Sequence, residues 1–81
     1  MPFLNLRTAK GLLNDEQKQY LMDKFTDLLV EVEGGGNPDF RKLVWILIEE
    51  HEPERWQIGE RRSTSETVAA YVKQRDAQTK P

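Results

Sequence analysis

Cysteine is absent from the 81 residues, which excludes disulfides and thiolate metal sites and fits a reducing compartment. A long apolar run is missing as well. The longest, residues 43–48, is far below the about 20 residues of a membrane helix. The N-terminus has no basic stretch leading into an apolar one, so a secretory signal is not expected and the cytoplasm is. Neither sign of charge dominates: 12 Lys and Arg stand against 14 Asp and Glu, a net charge of −2. That balance argues against nucleic acid or an anionic membrane as the main partner. Histidine is nearly absent too. The single one, His51, lies among Glu49, Glu50, Glu52 and Glu54. With no second histidine at ligand spacing, these read as solvated charges, and no metal site is expected. The glycine run "GGGNP" lacks the GK[ST] of a phosphate loop and follows a helical pattern, so it reads as a turn.

What is present is a compact alternation of patterns. "PFLNLRTA", residues 2–9, reads as a strand with Leu4 and Leu6 on one face and Phe3, Asn5 and Arg7 on the other. Proline is tolerated at the first position of a strand. "NDEQ" opens a helix, with Asn14 as N-cap, Gln17 completing a capping box, and Asp15 and Glu16 in the first turn. Leu21, Phe25, Leu28, Leu29 and Val32 form an apolar stripe that carries the helix to about Glu33. "KLVWILIEE", residues 42–50, predicts a second strand, apolar enough at its centre for burial on both faces. Strand, helix and strand of this length predict a right-handed β-α-β unit with parallel strands. A short hairpin around Gly59 follows, and "STSETVAAYVKQRD" predicts a second helix capped by Ser63 or Ser65. The last residues, "AQTKP", are expected to fray. So small a chain buries a limited share of its surface, and another copy of itself is the expected cover for the second strand.

Taken in order, Pro2 after Met1, "GLLNDEQK" at the helix start and "IEEHEPERWQIGE" after the second strand resemble the tautomerase superfamily. The match is to its short 4-oxalocrotonate tautomerase-like subunits, over roughly residues 2–60. The resemblance implies an α+β fold: a β-α-β subunit with parallel strands and a short C-terminal hairpin, oligomerising into a larger sheet, to which the residue pattern adds a C-terminal helix. It implies one domain over residues 1–81, with 2–60 as the core and 61–81 as an extension. It also implies a homo-oligomer, hexameric or trimer-based, acting on a small-molecule carboxylate without a cofactor. Pro2 and Trp56 carry over onto the family pattern. The family's arginines do not: Leu12 and Leu13 follow the glycine, Trp45 stands in the second strand, and the closing "GIGG" is "QIGE".

The chemistry implied is proton transfer. Once Met1 is removed, Pro2 carries a secondary amine, and an α-amine has a pKa of about 7.7–8.0. Burial and neighbouring cations lower that value toward the range where a general base works best at neutral pH. The expected roles are Pro2 as base, Arg41 or Arg55 on the substrate carboxylate, and Phe3 and Trp56 as apolar wall. The expected activity is a keto-enol tautomerase acting on a small 2-hydroxy or 2-oxo unsaturated acid. Two alternatives stand beside it. One is a hydratase or dehalogenase, with Pro2 as acid and Glu50 activating water. The other is a non-catalytic oligomeric ligand binder.

Overall fold

The computed structural model describes residues 2–78, and the fraying expected of the last residues falls largely outside them. Two strands, β1 (Phe3–Ala9) and β2 (Trp45–His51), form one sheet. The Trp45 N–H donates to the Pro2 carbonyl at 3.0 Å, and the Lys10 N–H donates to the His51 carbonyl at 2.8 Å. Both residue numbers rise together along the pair, so the strands are parallel, as the β-α-β reading requires.

The chain divides into two compact units, one of residues up to 6 with 14–49, the other of 7–13 with 50 onward. In the first, α1 (Asp15–Val32) begins at the expected capping box. Asn14 Oδ1 accepts from the Gln17 N–H at 2.8 Å, and Gln17 Oε1 accepts from the Asn14 N–H at 2.9 Å. Asp15 and Glu16 occupy the first turn, where the helix dipole favours carboxylates.

The inner face of α1 differs from the stripe expected. Leu21, Met22, Phe25, Leu29 and Val30 are half-buried or buried, while Leu28 and Val32 are exposed. The cause lies after the helix. The chain turns through Gly35 and Gly36, both at positive φ, into a 3₁₀ turn over Pro38–Leu43 that packs on α1. Phe40 then lies against Gly34, where a Cβ would meet the ring carbon Cγ at 2.6 Å. The same 3₁₀ turn shortens the second strand, which starts at Trp45 and not at Lys42. Asn37 Oδ1 accepts from the Asp39 N–H at 3.0 Å and Pro38 sits at the first position, so the segment starts as a helical turn before it can extend.

Burial in β2 alternates instead of covering both faces. Ile46 and Ile48 are half-buried, whereas Trp45 and Leu47 are exposed. In β1, Leu4 and Leu6 are half-buried and Phe3 is exposed.

In the second unit a 3₁₀ turn at Pro53–Arg55 leads into the expected hairpin, β3 (Gln57–Ile58) and β4 (Arg61–Arg62), paired antiparallel with Gly59 at φ +62° in the turn. Helix α2 (Ser65–Gln78) follows. Its capping residue is Thr64, not Ser63 or Ser65. Thr64 Oγ1 accepts from the Thr67 N–H at 3.1 Å, and the Val68 N–H donates to the Thr64 carbonyl. Near the other end of α2, Arg75 Nη1 donates to the Leu12 carbonyl at 2.7 Å. Val68 is buried, and its Cγ1 lies 3.4 Å from where a Cβ on Gly11 would be.

No helix among the described residues is long and apolar enough to cross a membrane.

Candidate active site

Pro2 stands immediately before β1 and is half-buried. Its ring keeps φ near −65°, and its carbonyl is held by the Trp45 N–H, so the residue enters the sheet through its acceptor alone. A proline placed anywhere inside this strand would remove a donor; at the head of it, none is lost.

Phe3 follows on the sheet face that carries Trp45. The two rings meet edge to face, with centroids 6.4 Å apart and planes at 89°. Phe3 is 58 % exposed and Trp45 63 % exposed, so the pair forms an apolar surface and not a core. On the same face, Asn5 Nδ2 donates to Glu49 Oε1 at 3.2 Å, joining polar positions of the two strands.

Arg41, expected at a substrate carboxylate, lies in the Pro38–Leu43 turn and is already engaged. Its Nη2 donates to Asp27 Oδ1 of α1 at 2.7 Å. Both side chains are about half exposed, at 49 % and 48 %, so the pair is solvent-screened.

Arg55 and Trp56 belong to the second unit. Arg55 closes the Pro53–Arg55 turn, and its guanidinium makes no ion pair among the described residues. Trp56 is half-buried, its ring centroid 6.2 Å from that of His51, and its Nε1 donates to the His51 carbonyl at 3.4 Å. Phe3 and Trp56 therefore each rest on an aromatic neighbour of their own unit.

Glu54, which reads in the sequence only as a solvated charge beside His51, fixes the start of α2. One carboxylate oxygen accepts from the Ser65 N–H at 2.7 Å and from the Ser65 hydroxyl at 3.0 Å. The Ser65 N–H, Glu54's own backbone N–H and the Ser65 hydroxyl hold its carboxyl below the usual value of 4.5, against a smaller opposing effect of burial. The signal was only a glutamate eleven residues before a serine, a spacing no local rule reads.

Residues 2–65 match the family model described as tautomerase enzyme. Probable tautomerase K2 of Dickeya dadantii (strain 3937) is 39 % identical over 59 residues, which covers 73 % of this chain and 82 % of that protein. Two crystal structures are similar in fold. SAR1376 of methicillin-resistant Staphylococcus aureus, a candidate 4-oxalocrotonate tautomerase, superposes with a TM-score of 0.60 at 28 % identity, over 75 % of this chain and 90 % of that one. TomN, a 4-oxalocrotonate tautomerase homologue in the tomaymycin biosynthetic pathway, gives 0.64 at 25 % identity, over 95 % and 97 %. The family model covers residues 2–65 and the fold is shared with both crystal structures, so the chain belongs to the tautomerase family.

Proposed function

We propose that the chain is a keto-enol tautomerase that moves a proton in a small 2-hydroxy or 2-oxo unsaturated acid, with Pro2 as general base after removal of Met1. The observation that carries this reading is the position of Pro2, half-buried and tied by its carbonyl to Trp45 in a chain of this family. The neutral amine removes a proton from the enol hydroxyl, and the resulting ammonium returns it to carbon. A positioned base of this kind contributes about 10²–10⁴-fold. Phe3 and Trp56 form the apolar wall, and Arg55 receives the substrate carboxylate. Arg41 takes that role only by releasing Asp27.

We read residues 1–81 as one domain that acts as a homo-oligomer, hexameric or trimer-based. Among the described residues only Val30, Pro53 and Val68 are buried in the single chain, while Phe3, Trp45 and Leu47 lie exposed on one sheet face and Tyr20, Leu28 and Val32 on α1. A surface this apolar is the mark of an association site.

The test is the enol-to-keto conversion of 2-hydroxymuconate and phenylenolpyruvate, followed by absorbance, with wild type and Pro2→Ala side by side. Turnover that is lost on substitution supports the base. Turnover that is equal in both, or absent in both, overturns it. The engagement of Arg41 by Asp27 favours a second reading in that event, a ligand-binding homologue without turnover.

A further inference from the structure

The hairpin and the start of α2 enclose a cleft of about 340 Å³ lined by Ile58, Arg61, Arg62, Ser63 and Thr67. Its volume lies at the lower end of the about 300–1,000 Å³ typical of small-molecule sites, so it suits an acid of a few carbons. We infer that this cleft is a carboxylate-binding site for a small unsaturated organic acid, with the guanidinium group of Arg61 as its charge partner. The inference rests on the reading above that the chain handles such an acid, and adds Arg61 to it.

The register of the hairpin sets the chemistry of the cleft. Arg61 pairs with Ile58, and the Ser63 N–H donates to the Trp56 carbonyl at 3.4 Å. Alternation therefore puts Trp56, Ile58, Arg61 and Ser63 on one face: an apolar floor, one guanidinium and one hydroxyl. An apolar chain ending in a carboxylate meets both needs at once. On the other face Arg62 stands opposite Gln57, whose Nε2 is turned back to donate to the Gly59 carbonyl at 3.0 Å.

Both arginines are exposed, and neither guanidinium has an ion pair or hydrogen bond among the described residues. That separates them from Arg41, which is held by Asp27, and from Arg75, which is held by Leu12. The planar fork of a free guanidinium fits a carboxylate through two parallel N–H bonds. The N-terminus of α2 does not compete for the ligand, because the Glu54 carboxylate already takes the Ser65 N–H and hydroxyl. The charge of the ligand thus falls to Arg61. Residues 55–62 hold three arginines against one carboxylate, Glu60, within a chain of net charge −2.

The experiment is a titration of the ¹⁵N-labelled full chain with cis,cis-muconate, an unsaturated dicarboxylate, read by amide shifts. Dimethyl muconate and sodium sulfate serve as controls. The expected result is saturable shifts at residues 58–63 and Thr67 with muconate alone, weakened at least tenfold by Arg61→Gln and less than threefold by Arg62→Gln, which changes the opposite face of the hairpin. Arg61→Lys, which keeps the charge without the fork, gives an intermediate loss and replaces Arg61→Gln should that variant not fold. Shifts that sulfate reproduces overturn the site as a mere patch of charge. Muconate binding that is insensitive to Arg61→Gln but lost in Arg55→Gln or Arg41→Gln overturns the cleft and leaves the proposed function standing. Binding at the hairpin in a chain with no turnover of either enol keeps the cleft and removes the tautomerase.

Discussion

The Trp45 N–H donates to the Pro2 carbonyl at 3.0 Å, so the first residue of the strand pair is placed by a residue of the opposite strand. The acceptor is backbone, and alanine supplies the same carbonyl. Pro2→Ala is therefore expected to melt within about 1 kcal/mol of wild type. Its turnover falls by about 10²–10⁴-fold if the amine is the base. Circular-dichroism melts beside rate measurements check both halves. A large loss of stability would mean that the proline ring serves the fold.

Gly34→Ala is expected to be the costliest glycine substitution at the end of α1. The new Cβ would meet Phe40 Cβ and Cγ at 2.6 Å, so the ring has to leave its seat. Overpacking of this kind costs about 1–3 kcal/mol. Gly35→Ala meets no atom within 4 Å but carries φ +61°, a strain of about 1–2 kcal/mol. Urea unfolding, with Phe40→Ala in the Gly34→Ala background as a rescue, separates crowding from strain.

The Glu54 carboxyl titrates below the usual value because the Ser65 N–H, its own backbone N–H and the Ser65 hydroxyl favour its charged form. A folded-state pKa that is depressed contributes stability present above the unfolded value of 4.5 and lost as pH falls through the lowered folded value. Acid is thus expected to loosen the start of α2, while Glu54→Gln removes this part of the pH dependence. A carbon-detected titration of the Glu54 side chain reads the shift directly. A midpoint at or above the usual value would contradict it.

Arg75 ties α2 to the loop before α1 through the Leu12 carbonyl, with its side chain 25 % exposed. A hydrogen bond from a charged donor contributes about 1.5–3 kcal/mol. Arg75→Ala is expected to raise hydrogen exchange along α2 and at residues 10–13, while α1 keeps its protection. Uniformly faster exchange would show that the tie supports the whole fold.

Trp45 and Phe3 offer apolar area that the single chain leaves in water. Trp45→Asp is expected to shift the sedimentation coefficient from that of an assembly to that of a smaller species. Sedimentation that is unchanged would move the interface to the exposed α1 residues Tyr20 and Leu28.

Local chemistry was legible in the sequence wherever neighbours along the chain decided it. The capping box of Asn14 and Gln17, the turn at Gly59 and the strand that begins after Pro2 all rest on residues within a few positions of one another. The start of β2 was misplaced because Asn37 and Pro38 begin a 3₁₀ turn that the apolar run concealed. The cap of α2 was misplaced within "STS", three residues of nearly equal capping preference, and only the bonds of Thr64 choose between them. Arg41 stands in the sequence as a candidate for the substrate carboxylate because its partner, Asp27, lies fourteen residues earlier on another element. The two arginines of the hairpin gave the weakest signal, since their freedom is a property of their surroundings and not of their spacing.

The bond between Trp45 and Pro2 also sets an order of events in time. It closes a ring of roughly 40 residues, at an entropic cost of about 3 kcal/mol for a flexible chain. Much of that ring is α1, 18 residues that need only their own capping box to begin. Once wound, the helix is a rod of about 27 Å, and the number of loose residues still to be gathered falls sharply. The helix is then the early event and the sheet the late one. Mutations at Asn14 and Gln17 should slow refolding, whereas changes at Pro2 should chiefly hasten unfolding.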